Sequence, residues 1–268
     1  MNKNEGIQLI KGSLEKNPNY TSAWNKLGKI MEEKVDDSDN KQKREKTLEL
    51  SKKFYDKSLS IDPDNFQGRI GLATFYYKLK EYTKCDSELN KIVLPSEAND
   101  VRCLKLKADN YFAMEKYEIA LDIYLKCRHS DTSFKDEVQM GIGNCYYTLD
   151  DYDNATATFK ELEEKCPTSI DIKIKLAACY MMRQLSREAI KVFEDCRRLQ
   201  PYNWQICLYL ARIYMHIENY ADAAEMIKTY NENNPDEIQG HLKLAEMYEQ
   251  LGAHQSALEE LLVNCCLT

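Results

Sequence analysis

The chain has 268 residues, 43% of them hydrophobic and 30% charged, with a formal net charge of −7. That acidic balance argues against a broad phosphate-binding face, which requires clustered Lys and Arg. Nine glycines and six prolines beside eighteen tyrosines favour helices.

The N-terminal residues Met1 to Glu5 lead into polar sequence with no apolar signal core, and no run of about 18 apolar residues follows. Neither a secretory leader nor a membrane span is therefore expected. Gly6 to Lys16, within 1–19, reads as the second helix of an incomplete helical pair. Residues 20–65 hold a pair that opens on Trp24, Leu27 and Gly28 and closes on Tyr55 and Pro63. Between these lie roughly eleven residues more than a 34-residue unit holds. This polar insertion, near 34–45 and running through Val35, Asp36, Asp37, Ser38, Asp39, Asn40, Lys41 and Gln42, is expected to lengthen the inter-helix loop.

The next unit, 66–99, carries Leu72, Ala73, Tyr76, Tyr82, Cys85 and Leu89, with Pro95 two residues early. Unit 100–135 has Ala108, Tyr111, Tyr117, Ala120, Tyr124 and Cys127, with Lys107 where a Leu is usual and Thr132 in place of a closing Pro. Unit 136–169 has Ile142, Gly143, Tyr146, Tyr152, Ala155, Phe159 and Pro167. In 170–203 the same register holds Leu176, Ala177, Tyr180, Ala189, Phe193, Cys196 and Pro201. It continues through 204–237 with Leu210, Ala211, Tyr214, Tyr220, Ala223, Ile227 and Pro235. The terminal unit, 238–268, ends the series with Leu244, Ala245, Tyr248, Ala257 and Leu261. The Pro, Ala, Leu and Tyr series of the last units all repeat at 34 residues, a self-similarity that marks a repeat architecture.

These residues resemble the tetratricopeptide repeat family, in which a Leu, a small residue and a Tyr mark the first helix. A second small residue, a large residue and a Pro mark the second helix. The resemblance implies an all-α, right-handed superhelical solenoid of about seven helix hairpins. Apolar residues at three- and four-residue steps give each helix a buried stripe. Small residues such as Ala177 and Ala189 admit close approach, Tyr180 and Phe193 fill the gaps, and Pro201 stops a second helix because it has no N–H to donate.

The resemblance also implies a concave groove lined by fixed positions of each first helix. They map onto Ile70, Tyr77, Met140, Asn144, Tyr147, Ile174, Met181, Met182, Leu208, Arg212 and Met215. Large apolar side chains that the core does not need point to a semi-apolar trough for a partner. The alternative is that the chain buries them against its own turns. The clamp by which some members grip chaperone tails needs a set of Lys, Asn and Arg residues in three consecutive units. Met140 and Lys175 break it around Asn144, so no heat-shock-chaperone carboxylate clamp is expected.

The ten cysteines fall mostly where a small buried side chain suits, as at Cys85, Cys127, Cys145, Cys179 and Cys196. No C-x-x-C occurs, and Cys265 and Cys266 are adjacent, a poor spacing for zinc. The framework reads as free thiols of an intracellular protein, cytoplasmic or nuclear. Of His129, His216, His241 and His254, His241 takes a packing position, and none has a neighbouring pattern of a metal or catalytic set. No phosphate loop or dinucleotide fingerprint is present. Gly141-Ile142-Gly143 serves helix packing, and the sequons at Asn19 and Asn154 are expected to be silent. No metal, cofactor or catalytic residue is expected.

The last helix would leave Leu258, Leu261, Leu262, Val263 and Leu267 on an apolar end face, suited to another subunit or a second copy. The expected function is a non-catalytic protein-interaction scaffold holding an extended or helical partner segment. The alternative is a structural subunit of a large assembly, such as ciliary transport, a cyclosome-like ligase or transcription and RNA-processing machinery. Nucleic acid is a disfavoured ligand.

Overall fold

A computed structural model describes residues 3–36, 41–128, 134–200, 203–235 and 238–267. Every regular element among them is a helix. In chain order these are α1 (Lys3–Lys16), α2 (Thr21–Asp36), α3 (Lys41–Ile61), α4 (Phe66–Lys78), α5 (Tyr82–Asn90), the one-turn α6 (Pro95–Ala98), α7 (Val101–Ala113) and α8 (Tyr117–Cys127). They continue as α9 (Lys135–Thr148), α10 (Tyr152–Lys165), α11 (Ile170–Met182), α12 (Ser186–Leu199), α13 (Trp204–His216), α14 (Tyr220–Asn233), α15 (Ile238–Gln250) and α16 (His254–Leu267). The chain forms two compact units, 1–145 and 146–268, whose boundary lies inside α9. None of the helices is long and apolar enough to cross a membrane.

The expected long loop at the insertion is replaced in part by helix. Val35 and Asp36 end α2, and Lys41 to Glu45 begin α3, which reaches 21 residues. Lys, Glu and Gln are good helix formers, so the polar insertion extends both helices. Residues 37–40 lie outside the described residues, as do Pro201, Thr132 and His129 and the side chains of Val263, Cys265, Cys266 and Leu267.

From α4 onward, each first helix closes in the same way. Lys80, Glu115, Asp150, Gln184, Glu218 and Gly252 all have φ between 60° and 71°. The next amide reaches back five residues at each site, as in Lys116 N to Tyr111 O at 2.9 Å and Leu185 N to Tyr180 O at 2.8 Å. This left-handed cap satisfies carbonyls that the helix end leaves free, and it reverses the chain into the second helix. Five of its six occurrences use a residue with a Cβ. Two of the second helices, α10 and α14, start on side-chain caps at Asp151 and Asn219, which accept from the Asn154 and Asp222 amides.

In the first unit, Tyr55 of α3 is wedged between α2 and α4. A Cβ on Gly28 would lie 2.6 Å from its ring, and one on Gly71 would lie 2.2 Å away. The same interlock recurs where the Tyr124 ring of α8 meets Gly141 of α9, at 2.5 Å from a hypothetical Cβ. In the second unit Leu176, Ala177, Ala189, Leu210, Ile227 and Leu244 are all within 1% of complete burial. Each buried large aliphatic is worth about 1.5–3 kcal/mol.

The described cysteines are free, and all except Cys166 are buried. Burial pushes the Cys85 and Cys145 thiols up to about 12 and Cys179 to about 11. These groups are neutral packing elements. Lys173 of α11 is 6% exposed and pairs with Glu163 of α10, so its charge is buried with a partner.

Candidate functional site

In the first unit the first helices α2, α4 and α7 follow one another side by side and line a cleft of about 710 Å³. α2 supplies Ser22, Asn25, Lys26, Lys29 and Glu32, and α4 supplies Gln67, Ile70, Thr74, Tyr77 and Lys78. Arg102, Lys105 and Asp109 come from α7, and Phe134 closes one edge.

Asn65 caps α4 by accepting from Gly68 N at 3.0 Å, and the same Oδ1 accepts from Asn25 Nδ2 at 2.7 Å. One side chain thus fixes both the start of α4 and its distance from α2. The Tyr55 hydroxyl reaches the cleft floor from behind and is held against Glu32. Burial first, then the Glu32 carboxylate, raise the pKa of that phenol.

The opposite wall is held by ion pairs. Arg102 donates to both carboxylate oxygens of Asp100 at 2.9 Å and reaches Gln67 Oε1 at 3.3 Å. Its guanidinium lies 5.3 Å from the Phe66 ring centroid, so it bridges α7 and α4. Lys105 Nζ lies 3.0 Å from Asp109 Oδ2 and 2.9 Å from Glu137 Oε2 of α9. Burial alone pulls the Lys105 ammonium down, but these two carboxylates more than offset it and hold the pKa above the ordinary value. Asp109 also accepts from the Tyr124 hydroxyl.

In the second unit a smaller cleft of about 290 Å³ is lined by Gln205, Leu208, Tyr209, Arg212 and Met215 of α13, Ile227 of α14 and Lys243 of α15. The Tyr209 ring stacks on Phe193 at 5.2 Å and 15°. Arg212 is exposed and makes no ion pair with a described residue.

The structure distributes the eleven sequence-derived groove residues unequally. Ile70 and Tyr77 line the first cleft, and Leu208, Arg212 and Met215 line the second. Met140 and Asn144 are half-buried on α9 and line neither cleft. Tyr147 packs edge-on against Tyr152 at 5.6 Å, and Tyr77 packs at a tilt against Tyr82 at 6.0 Å. Ile174 and Met181 are half-buried on α11, and Met182 is 50% exposed. Of the end-face set, Leu258 and Leu262 are 50% and 56% exposed, and Leu261 is half-buried.

The sequence reading did not reach the α2 wall. Extending the groove register back to Thr21 finds Ser22, Asn25, Lys29 and Glu32, so the signal was present. It also did not foresee the His241 environment. Nδ1 lies 2.7 Å from Glu260 Oε2 of α16, and Nε2 lies 3.0 Å from Pro235 O. Among the described residues no group of three or more His, Cys, Asp or Glu is arranged to hold a metal.

Two stretches of the chain, 137–169 and 186–247, match models of the tetratricopeptide repeat. Among curated proteins, the intraflagellar transport protein 56 homolog of Caenorhabditis elegans is 23% identical over 154 residues, 56% of this chain and 25% of that protein. The chain spans 20–38% of the length of the curated relatives it matches. Among solved structures, YrrB, reported as a TPR protein with an unusual peptide-binding site, superposes with a TM-score of 0.56 at 16% identity. That match covers 69% of this chain and 95% of YrrB. The APC/C hetero-tetramer Cut9–Hcn1 gives a TM-score of 0.64 at 13% identity, over 91% of this chain and 46% of the matched one. At these identities the structural matches establish the fold.

Proposed function

We propose that this chain, two stretches of which match tetratricopeptide-repeat models, is a non-catalytic scaffold whose first-helix clefts hold segments of partner proteins. The observation that carries this reading is the pair of clefts itself. Ile70 and Tyr77 in one, and Leu208 and Met215 in the other, are large apolar side chains left partly open at first-helix positions. Flexible Met and amphipathic Tyr suit adaptable protein contacts. The peptide-binding site named for YrrB supports the reading by analogy of fold.

Photo-crosslinking from the clefts tests it. A crosslinkable residue at Thr74 or Arg212 should give discrete protein adducts in cells, and one at Lys57 or Lys228, exposed on the second helices α3 and α14, should not. Equal adducts from both sets would overturn the reading.

A second reading is a structural subunit of a larger assembly. The exposed Leu251, Leu258 and Leu262 near the last turn and helix favour it, as do the assemblies named for Cut9–Hcn1 and the intraflagellar relative. Under this reading the α16 face docks on another subunit or a second copy. Light scattering on the purified chain, with and without Leu258→Glu and Leu262→Glu, separates the two cases.

A further inference from the structure

The charges lining the first cleft are unequally committed. Five cations and two anions line it, although the chain carries a net charge of −7. Both anions are engaged within the fold: Glu32 by the Tyr55 hydroxyl, and Asp109 by Tyr124 and Lys105. On the α7 wall, Arg102 is paired with Asp100, and Lys105 with Asp109 and Glu137. On the α2 wall, Lys26 and Lys29 are exposed and make no ion pair with any described residue. They lie one turn apart along the same wall.

We infer that this cleft takes an extended, acidic protein segment whose side-chain carboxylates meet the Lys26 and Lys29 wall while its apolar side chains rest on Ile70 and Tyr77. The inference rests on the first-helix clefts being partner sites and adds the chemistry of the partner. Three neighbouring helices with axes about 8–10 Å apart span roughly 20 Å, the length of about six extended residues. The cations are spread over three neighbouring helices, α2, α4 and α7, and do not converge on one point. A segment bearing several acidic side chains fits that spread, whereas a single terminal carboxylate would engage one wall. Uncommitted lysines facing a low-dielectric cleft also steer acidic partners toward it.

The test uses the full chain and fluorescein-labelled, C-terminally amidated octapeptides alternating Glu with Leu, Gln with Leu, or Lys with Leu, read by anisotropy. The Glu probe should bind, weaken as salt is raised, and lose roughly tenfold in affinity with the Lys26→Glu/Lys29→Glu double variant. Both sites are exposed on a helix, and an unchanged thermal melt checks that the variant folds. Equal binding of Glu and Gln probes, or no effect of the double variant, overturns the inference. So does binding that appears only when the Glu probe has a free C-terminus, or binding of oligouridylate in place of the Glu probe. If the Glu probe fails while Thr74 still crosslinks a partner, the acidic preference is wrong and the cleft reading stands. If both fail, the cleft reading is wrong as well.

Discussion

The Tyr55 ring lies where a Cβ on Gly71 would stand, 2.2 Å from its Cε1 and Cζ atoms. The same Cε1 and Cζ atoms meet Gly28, 2.6 Å from a Cβ placed there, and the hydroxyl end faces the first cleft. One tyrosine therefore sets the spacing of α2 and α4 and forms part of the floor between them. Gly71→Ala should force these helices apart and destabilise the chain by about 1–3 kcal/mol, the range of core overpacking. Urea unfolding checks this. A loss below about 0.5 kcal/mol would mean the ring can move aside.

The recurrent left-handed caps make an opposite prediction. Glu115 and Gln184 have φ of 60° and 61°, a region that costs a residue with a Cβ roughly 1 kcal/mol or more. Gly252 occupies the same place in the last hairpin without that cost. Glu115→Gly and Gln184→Gly should each stabilise the chain by about 0.5 kcal/mol, since relief of strain exceeds the added freedom of the unfolded chain. Thermal melts that fall for both variants would contradict this.

These caps also show where sequence reading stops. The Leu, Ala and Tyr series repeat because each must fill a fixed volume, so Tyr180 and Tyr214 betray the period directly. The cap positions Lys80, Glu115, Asp150, Gln184 and Glu218 share geometry but no single residue type, because a backbone conformation held by the hairpin on either side tolerates many side chains. The cleft was legible to a similar degree. Leu208, Arg212 and Met215 follow from the register of intact units, whereas Lys26 and Lys29 belong to the unit whose register the insertion interrupts. The first cleft sets a polar α2 wall beside Ile70 and Tyr77, whereas Leu208 and Met215 line the second.

Asp109 ties three helices of the first unit together through Tyr124 of α8, and through Lys105 to Glu137 of α9. Asp109→Ala would leave a buried phenol hydroxyl without its acceptor and Lys105 with one carboxylate instead of two. The expected loss is about 2 kcal/mol, dominated by the unpaired hydroxyl. In a double-mutant cycle, Asp109→Ala should cost much less in a Tyr124→Phe background. Additive losses would show that the contact contributes no coupling.

His241 makes the last hairpin sensitive to pH. Both ring nitrogens face acceptors, Glu260 Oε2 at 2.7 Å and Pro235 O at 3.0 Å, an arrangement that the doubly protonated ring satisfies completely. The Glu260 carboxylate first, and the Pro235 carbonyl after it, hold the imidazole above its ordinary value of 6.5, against the opposing effect of burial. A raised folded-state pKa means that protonation favours the folded form. The added stability is therefore fully present below about pH 6.5, the unfolded value, and is lost as pH rises through the higher folded value. Relative to His241→Gln, the wild-type chain should be more stable by about 1–2 kcal/mol at pH 5.5, the size of a charge-assisted hydrogen bond. That advantage should shrink toward pH 9. Urea unfolding of both proteins at the two pH values measures the difference, and a gap that stays constant or widens with pH would show that the imidazolium contributes nothing. Glu260→Gln should remove most of the same pH dependence, because the carboxylate across α15 and α16 is the first cause of the shift.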